Sequence, residues 1–200
     1  MLNKLGKITP GAPGLEAGAP PGQFVTEKFP VLTFGKIPEF DADKWSFTID
    51  GLVDKQVVMN YEAFLEIGIN TVESEFHCVT QWSKLSNVWE GVFFKDVIGK
   101  ASVKTQAEYA MVRCFGDYSI NLPLDVLMDD DVLFAVKHDG EDITLEHGAP
   151  LRLVVPKRYG WKSAKWVNGI ELMDENRPGF WETRGYHMEG DPWKEERFVI

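Results

Sequence analysis

Leu151-Arg-Leu-Val-Val-Pro-Lys-Arg-Tyr-Gly-Trp-Lys-Ser-Ala-Lys165 is the stretch from which the rest of this 200-residue chain can be read. Its first five residues form an apolar run broken by one arginine, which reads as a buried strand from Leu151 to Val155. The loop behind it carries Lys157, Arg158, Lys162 and Lys165. With Arg152 that makes five bases and no acid in 15 residues of a chain whose net charge is −10. A cationic segment after a buried strand in an acidic protein points to a local anion site. Gly160 and Ser163 can bring backbone N–H groups close to a phosphate, and Arg and Lys supply charge-assisted bonds. A solvated loop balancing nearby carboxylates is the alternative. Arg152 favours the anion site, because an arginine inside Leu-Arg-Leu-Val-Val is poorly placed as idle surface charge, and a buried one needs an anionic partner.

Working outward, strand signals dominate. Trp45 to Val53 alternates apolar and polar residues with period two, and Asp54-Lys55 turns the chain. Asn60 is a fair N-cap for a short helix from Tyr61 to Ile67 ended by Gly68. Further strands are expected over Thr71 to Cys78, Tyr109 to Phe115, Tyr118 to Leu122, Val132 to Lys137 and Trp166 to Met173. Val92 to Ile98 reads as a helix, and Pro123 starts another that runs through Met128. Many short strands with few short helices predict an α+β, mixed and strand-rich single domain rather than alternating βαβ units. No internal repeat is visible, and no GxGxxG or Walker A sequence offers a nucleotide-type phosphate cradle.

Composition narrows the class. At 44% hydrophobic and 12% aromatic residues, the chain can bury about 70% of its unfolded surface without a disulfide staple. Its negative charge argues against a free-standing nucleic-acid binder. Residues 1–24, rich in Pro, Gly and Ala from Thr9 to Gly22, read as a flexible lead-in to a domain over 25–200. They hold no signal-peptide h-region and no twin-arginine pair, and no apolar run long enough to span a membrane follows. A cytoplasmic protein is expected, with no membrane contact and a monomer favoured over an oligomer. The tail from Gly179 to Ile200 mixes Gly with Phe, Trp and Tyr and is expected to wrap the surface with its aromatics buried.

Two further residues are candidates for chemistry. Cys78 ends a strand, where it can point into a cleft, and thiolate is the soft ligand that transition metals prefer. The alternative is a buried apolar thiol. His77 beside it faces the opposite side of a strand and cannot share its metal ion. Cys114 has no partner at metal-ligand spacing. A Cys–His–Asp hydrolase is not testable from spacing alone. His147 lies five residues before Arg152 in a Gly-Pro turn that can aim it toward the same anion; a structural or solvated loop histidine is the alternative.

Three stretches together resemble the molybdopterin-binding domain of the sulfite oxidase superfamily, in its small single-domain members. They are Phe76-His-Cys-Val-Thr-Gln-Trp-Ser83; His147-Gly-Ala-Pro-Leu-Arg-Leu-Val-Val-Pro156 with Tyr159-Gly-Trp-Lys-Ser-Ala-Lys-Trp166; and a tail with Gly179-Phe-Trp-Glu182, Gly185-Tyr-His187 and Gly190-Asp-Pro-Trp193. The likeness runs from about Phe29 to Phe198. The middle stretch is the most specific, since H-G-x-P-x-R followed by G-x-K-S-x-K-W is that family's cofactor-phosphate signature.

The resemblance implies a molybdenum centre bound by one pterin dithiolene and by Cys78, which would be both metal ligand and catalytic residue. His147 and Arg152, with Ser163, Ala164 and Lys165 and a contribution from Lys162, would hold the phosphate and ring of molybdopterin. The segment around Phe29, Leu32 and Thr33 would cross the pterin, and Asp117 or its neighbours would meet it from the other side. The implied activity is oxygen-atom transfer to or from a small substrate (sulfoxide, N-oxide or sulfite-like), with electrons exchanged with a separate donor or acceptor protein. Trp82, Trp89 and Trp161 are candidate pocket walls or core aromatics.

The departures bear on substrate. Sulfite oxidases proper follow the metal cysteine with Asn-Arg-Arg, whereas Val79-Thr80-Gln81-Trp82 is neutral here. No cytochrome or dimerisation domain is read in these 200 residues. A non-catalytic molybdopterin carrier and a zinc-dependent hydrolase are the competing classes.

Overall fold

Residues 18–199 are described by the computed structural model. Among them eleven strands and three short helices follow one another. They are β1 (Phe24–Val25), β2 (Ser46–Gly51), β3 (Val57–Asn60), α1 (Tyr61–Leu65), β4 (Asn70–His77), β5 (Trp82–Phe93) and α2 (Phe94–Ile98), then β6 (Tyr109–Cys114), β7 (Ser119–Pro123), α3 (Leu124–Leu127), β8 (Leu133–His138), β9 (Glu141–Asp142), β10 (Arg152–Val154) and β11 (Val167–Met173). The strands form two sheets. One has the order β3-β2-β11-β6-β7, with β11 parallel to β2 and antiparallel to β6. The other runs β1-β5-β8-β10, with β4 also paired to β5 and β9 to β8.

Period-two side-chain alternation sorts the core. In β2, Phe47 and Ile49 are fully buried while Thr48 and Asp50 are only half-buried. They join Val112, Ile120, Leu122 and Ile170 from the same sheet and Phe134 and Leu153 from the other. Each fully buried side chain of this kind contributes roughly 1.5–3 kcal/mol. Leu133, Ala135 and Val154, one register step away from Phe134 and Leu153, belong instead to a second cluster with Phe76, Trp82 and Trp89. The larger sheet therefore has apolar packing on both faces. Phe29 and Leu32 from the segment before β2 cover the second face.

The strand-rich α+β expectation holds, and Asn60 caps α1 by accepting from the Ala63 amide at 2.9 Å. Several details differ. The expected helix from Val92 begins at Phe94, because Val92 and Phe93 end β5, a 12-residue strand that the pattern did not reveal. Its buried Lys84 and Asn87 break the apolar alternation. They are satisfied by Asp139, at 2.8 Å from Lys84, and by His138, at 2.9 Å from Asn87. The two-residue β1 and the half-exposed β3 were likewise not expected. Within the expected lead-in, residues 1–17 lie outside the described residues, but Gln23 is buried and Phe24 pairs in parallel with Trp82. In the tail, Trp193 and Phe198 are exposed, contrary to expectation, and Phe180, Trp181 and Tyr186 are only half-buried. Phe180 and Tyr186 still pack on Tyr118 and Trp161 of the domain body, and a tail carboxylate, described below, adds a polar anchor.

Candidate cofactor site

Leu151, Leu153 and Val155 face the main core, so Arg152 must face the second cluster. It is only 4% exposed. Its guanidinium stands 5.2, 5.0 and 5.9 Å from the rings of Phe29, Phe76 and Trp89, and Nη1 donates to the His147 carbonyl at 2.8 Å. Nε has no partner. The groups whose charges favour its protonated form are Tyr118 and Cys78, and neither is a carboxylate. Burial pulls its pKa down to about 10. A buried cation without an acid costs several kcal/mol, so this arrangement is stable only against rings and dipoles until an anion arrives.

Lys165 repeats the pattern. Nζ donates to the carbonyls of Leu32 (2.7 Å) and Glu146 (2.5 Å) and to Thr33 Oγ1 (3.2 Å). All three acceptors are neutral. Burial first, then Arg152, lower its pKa from 10.5 to about 7. The unfolded chain therefore binds one more proton than the fold between these two values, and stability from this group rises with pH across that window. Cofactor-free protein is expected to show a higher urea midpoint at pH 9 than at pH 7, with a smaller difference in Lys165→Met. An equal pH dependence in the variant would contradict the assignment.

His147 Nε2 lies 3.0 Å from the Phe29 carbonyl, an acceptor only, so that nitrogen carries the hydrogen and Nδ1 is left to accept from Thr144 Oγ1 at 3.3 Å. The ring stacks on Phe29 at 5.0 Å and 24°. Burial lowers its pKa, and the cations Arg152 and Lys165 lower it further. Thus His147 and Lys165 both grip the Phe29–Thr33 segment, and the structure brings together Phe29, Leu32, Thr33, His147, Arg152 and Lys165.

Cys78 follows β4 in a tight turn closed by Cys78 N–H to Trp82 O (2.8 Å) and Gln81 N–H to Cys78 O (3.0 Å). Gln81 sits at φ +72°. Two remote side chains hold the turn: Gln23 Nε2 donates to Cys78 O at 3.1 Å, and Arg197 Nη1 to Val79 O at 2.7 Å. The thiol is 7% exposed, lies among the second cluster and contacts Thr80 Oγ1 at 3.1 Å. Burial raises its pKa; the Thr80 contact, then Arg152 and Arg197, oppose that rise. Its charge also acts on Lys165 and Tyr186. Cys114 is buried in the main core instead, with its thiol pushed far up by burial. Cys114→Ala is expected to cost about 1 kcal/mol and to leave metal content unchanged by elemental analysis.

The 162–164 segment is bonded from within the protein. Lys162 is fully buried, but its Nζ is neutralised by Glu182 Oε1 at 2.7 Å and bonded to Asn121 O (2.8 Å) and Oδ1 (3.0 Å). Glu182 also accepts from Trp161 Nε1 at 2.9 Å. This tail carboxylate locks the basic hairpin from behind, a partnership across 20 positions that no local pattern announces. Ser163 Oγ accepts from the Val155 amide at 3.0 Å, and Ala164 O from the Leu153 amide at 2.8 Å, which fixes the hairpin against β10. Glu182→Ala strands the Lys162 ammonium, at an expected cost of about 3–5 kcal/mol. Calorimetry should show melting lower by roughly 10 °C; a change within 2–3 °C would contradict this anchoring.

Asp117 lies in the turn that, with Arg113, Cys114, Tyr118, Ser119 and Asn168, lines an open cavity of about 490 Å³ on the β3-β2-β11-β6-β7 sheet. Tyr118 joins this cavity to the basic hairpin, since its hydroxyl donates to Trp161 O at 2.7 Å. Trp82, Trp89 and Trp161 are all buried; Trp89 packs on His138, Phe29 and Phe76 as a core aromatic. Among the described residues, no group of three or more His, Cys, Asp and Glu is placed to hold a metal ion.

A buried thiol, a buried arginine without a carboxylate and a half-buried lysine on neutral acceptors, with the Phe29–Thr33 segment held across the two cations, form a site that suits an anionic ligand. The orphaned Arg152 Nε and the neutral partners of Lys165 fit a phosphate, and Cys78 fits a soft metal. Comparison with known proteins gives the class its family. The chain belongs to the oxidoreductase molybdopterin binding domain family, whose model matches residues 34–181. It is 46% identical over 181 residues to an uncharacterised oxidoreductase, YuiH, of Bacillus subtilis, covering 90% of this chain and 91% of that one. To the catalytic subunit MsrP of a protein-methionine-sulfoxide reductase of Campylobacter jejuni it is 26% identical, covering 80% of this chain and 59% of the relative. The sulfane dehydrogenase SoxCD of Paracoccus pantotrophus superposes with a TM-score of 0.64 at 25% identity, covering 70% of this chain and 40% of that one. The protein is thus an oxidoreductase of the molybdenum–molybdopterin type. No helix among the described residues is long and apolar enough to cross a membrane.

Proposed function

We propose that this oxidoreductase transfers an oxygen atom to or from a small sulfoxide, N-oxide or sulfite-like substrate and exchanges electrons with a separate protein. One observation carries the reading: Arg152 is buried with no carboxylate partner on the same apolar cluster face as the only thiol outside the main core, and half-buried Lys165 bonds only neutral acceptors. The molybdenum cofactor, when bound, supplies the two-electron redox chemistry. Arg152 and Lys165 hold its phosphate, and His147 fixes the Phe29–Thr33 segment across it. Ser163 and Ala164 give the hairpin its shape, and Lys162 with Glu182 stiffens it from behind. Cys78 is the protein's ligand to the metal, aimed by the turn that Gln23 and Arg197 brace.

The relatives support both parts. MsrP carries the name of a methionine-sulfoxide reductase and of a catalytic subunit, which implies a partner. Elemental analysis of purified protein should find about one molybdenum per chain, with pterin fluorescence after oxidation. Dye-coupled reduction across sulfoxides, N-oxides and sulfite should then find turnover. Pterin without turnover on any of these would favour a carrier, and stoichiometric zinc without pterin would overturn the reading.

A further inference from the structure

We propose that the groove beside Trp193 is the docking site of a one-electron carrier protein with a positively charged face. The inference rests on Cys78 being the molybdenum ligand. His77 is joined to Cys78 by one peptide bond, yet its ring points to the other side of β4, into an open groove of about 430 Å³. There it is held by Ser83 Oγ (2.8 Å) and Glu75 Oε2 (3.1 Å), with 2% of the residue exposed. Across it stands Trp193, with ring centroids 6.4 Å apart at 76°. Trp193 is 56% exposed. The chain thus runs from the metal ligand to a surface aromatic through one peptide bond and one ring contact, and electron transfer falls steeply with distance.

The groove's charge selects the partner. Glu73, Glu75, Asp131 and Asp191 line it together with Lys157 and Arg158. The two bases are already answered from outside the lining, Lys157 by Asp129 at 2.8 Å and Arg158 by Glu189 at 3.5 Å. Even with Lys194 beside Asp191 (3.4 Å), acids outnumber bases by three. A basic carrier is steered to such a surface, and an exposed tryptophan in its lining is the kind of side chain that anchors an interface. Each two-electron change at the metal is balanced by two one-electron exchanges with the carrier, which is oxidised or reduced according to the substrate's direction.

The test uses holoenzyme with a lysine-rich c-type cytochrome as probe carrier. Carbodiimide cross-linking followed by mass spectrometry should join cytochrome lysines to Glu73 and Asp191. Trp193→Ala and Glu73→Lys should each slow electron exchange with the cytochrome about tenfold at low ionic strength, while turnover with a small dye stays within about twofold. Cross-links confined to acids outside the groove, or variant rates equal to wild type while dye turnover persists, would overturn the docking site. Failure of the underlying reading shows differently, as protein lacking molybdenum. The cross-linking footprint needs no metal and still decides the surface.

Discussion

Cys78→Ala protein is expected to retain pterin and to lose all substrate turnover. The thiol makes one hydrogen-bond contact, to Thr80 at 3.1 Å, and sits at the rim of an apolar cluster, so its removal leaves Arg152, Lys165 and His147 in place. Cofactor-free stability should therefore change by about 1 kcal/mol or less. Burial keeps the free thiol protonated, and the fields of Arg152 and Arg197 ease its ionisation when a metal displaces the proton. A ligand aimed in this way cannot be replaced by water without changing the metal's electronics. Dye-coupled assays beside pterin fluorescence check both halves. Turnover within a few-fold of wild type would remove Cys78 from the metal.

Arg152→Met should produce the opposite pair of effects. Charge-assisted hydrogen bonds to a phosphate are worth about 1.5–3 kcal/mol, so pterin affinity should fall about tenfold to a hundredfold. Yet the cofactor-free variant should be more stable than wild type. In the absence of an anion the guanidinium gains from three rings, each worth about 0.5–2 kcal/mol, and from the His147 carbonyl. Burial nevertheless draws its pKa down to about 10, so desolvation works against the charged form in the fold. Methionine keeps much of the volume and removes the charge, which in comparable burials is worth about 1–4 kcal/mol. Denaturant unfolding of cofactor-free protein checks the gain. Full pterin occupancy in the variant would show that Arg152 is not the phosphate anchor.

The basic hairpin was legible because charge and hydrophobic pattern conflict there: Arg152 inside an apolar strand has no local reason to exist. Without the family resemblance, Cys78 was legible only as a thiol at a strand end. That it shares a face with Arg152 depends on the pairing of β4, β5, β8 and β10, which no spacing reveals. Lys162 shows the limit most clearly. Its charge counts toward the same basic run, but Glu182 neutralises it from the tail. The β5 strand stayed hidden because its polar residues find partners in β4 and around β8, so its burial is not written as alternation. The tail's aromatics suggested anchoring, and Phe180 and Tyr186 do pack on Tyr118 and Trp161, but the polar anchors Glu182 and Arg197 had no local signal.

The central claim is that one protein sulfur, from Cys78, completes the sulfur ligands of a metal held by a phosphate-anchored pterin. Molybdenum K-edge absorption of wild type and Cys78→Ser holoenzyme tests it most directly. The expected result is one fewer sulfur neighbour at the metal in the variant, with the dithiolene contribution intact. An identical sulfur shell in the two proteins would contradict the account.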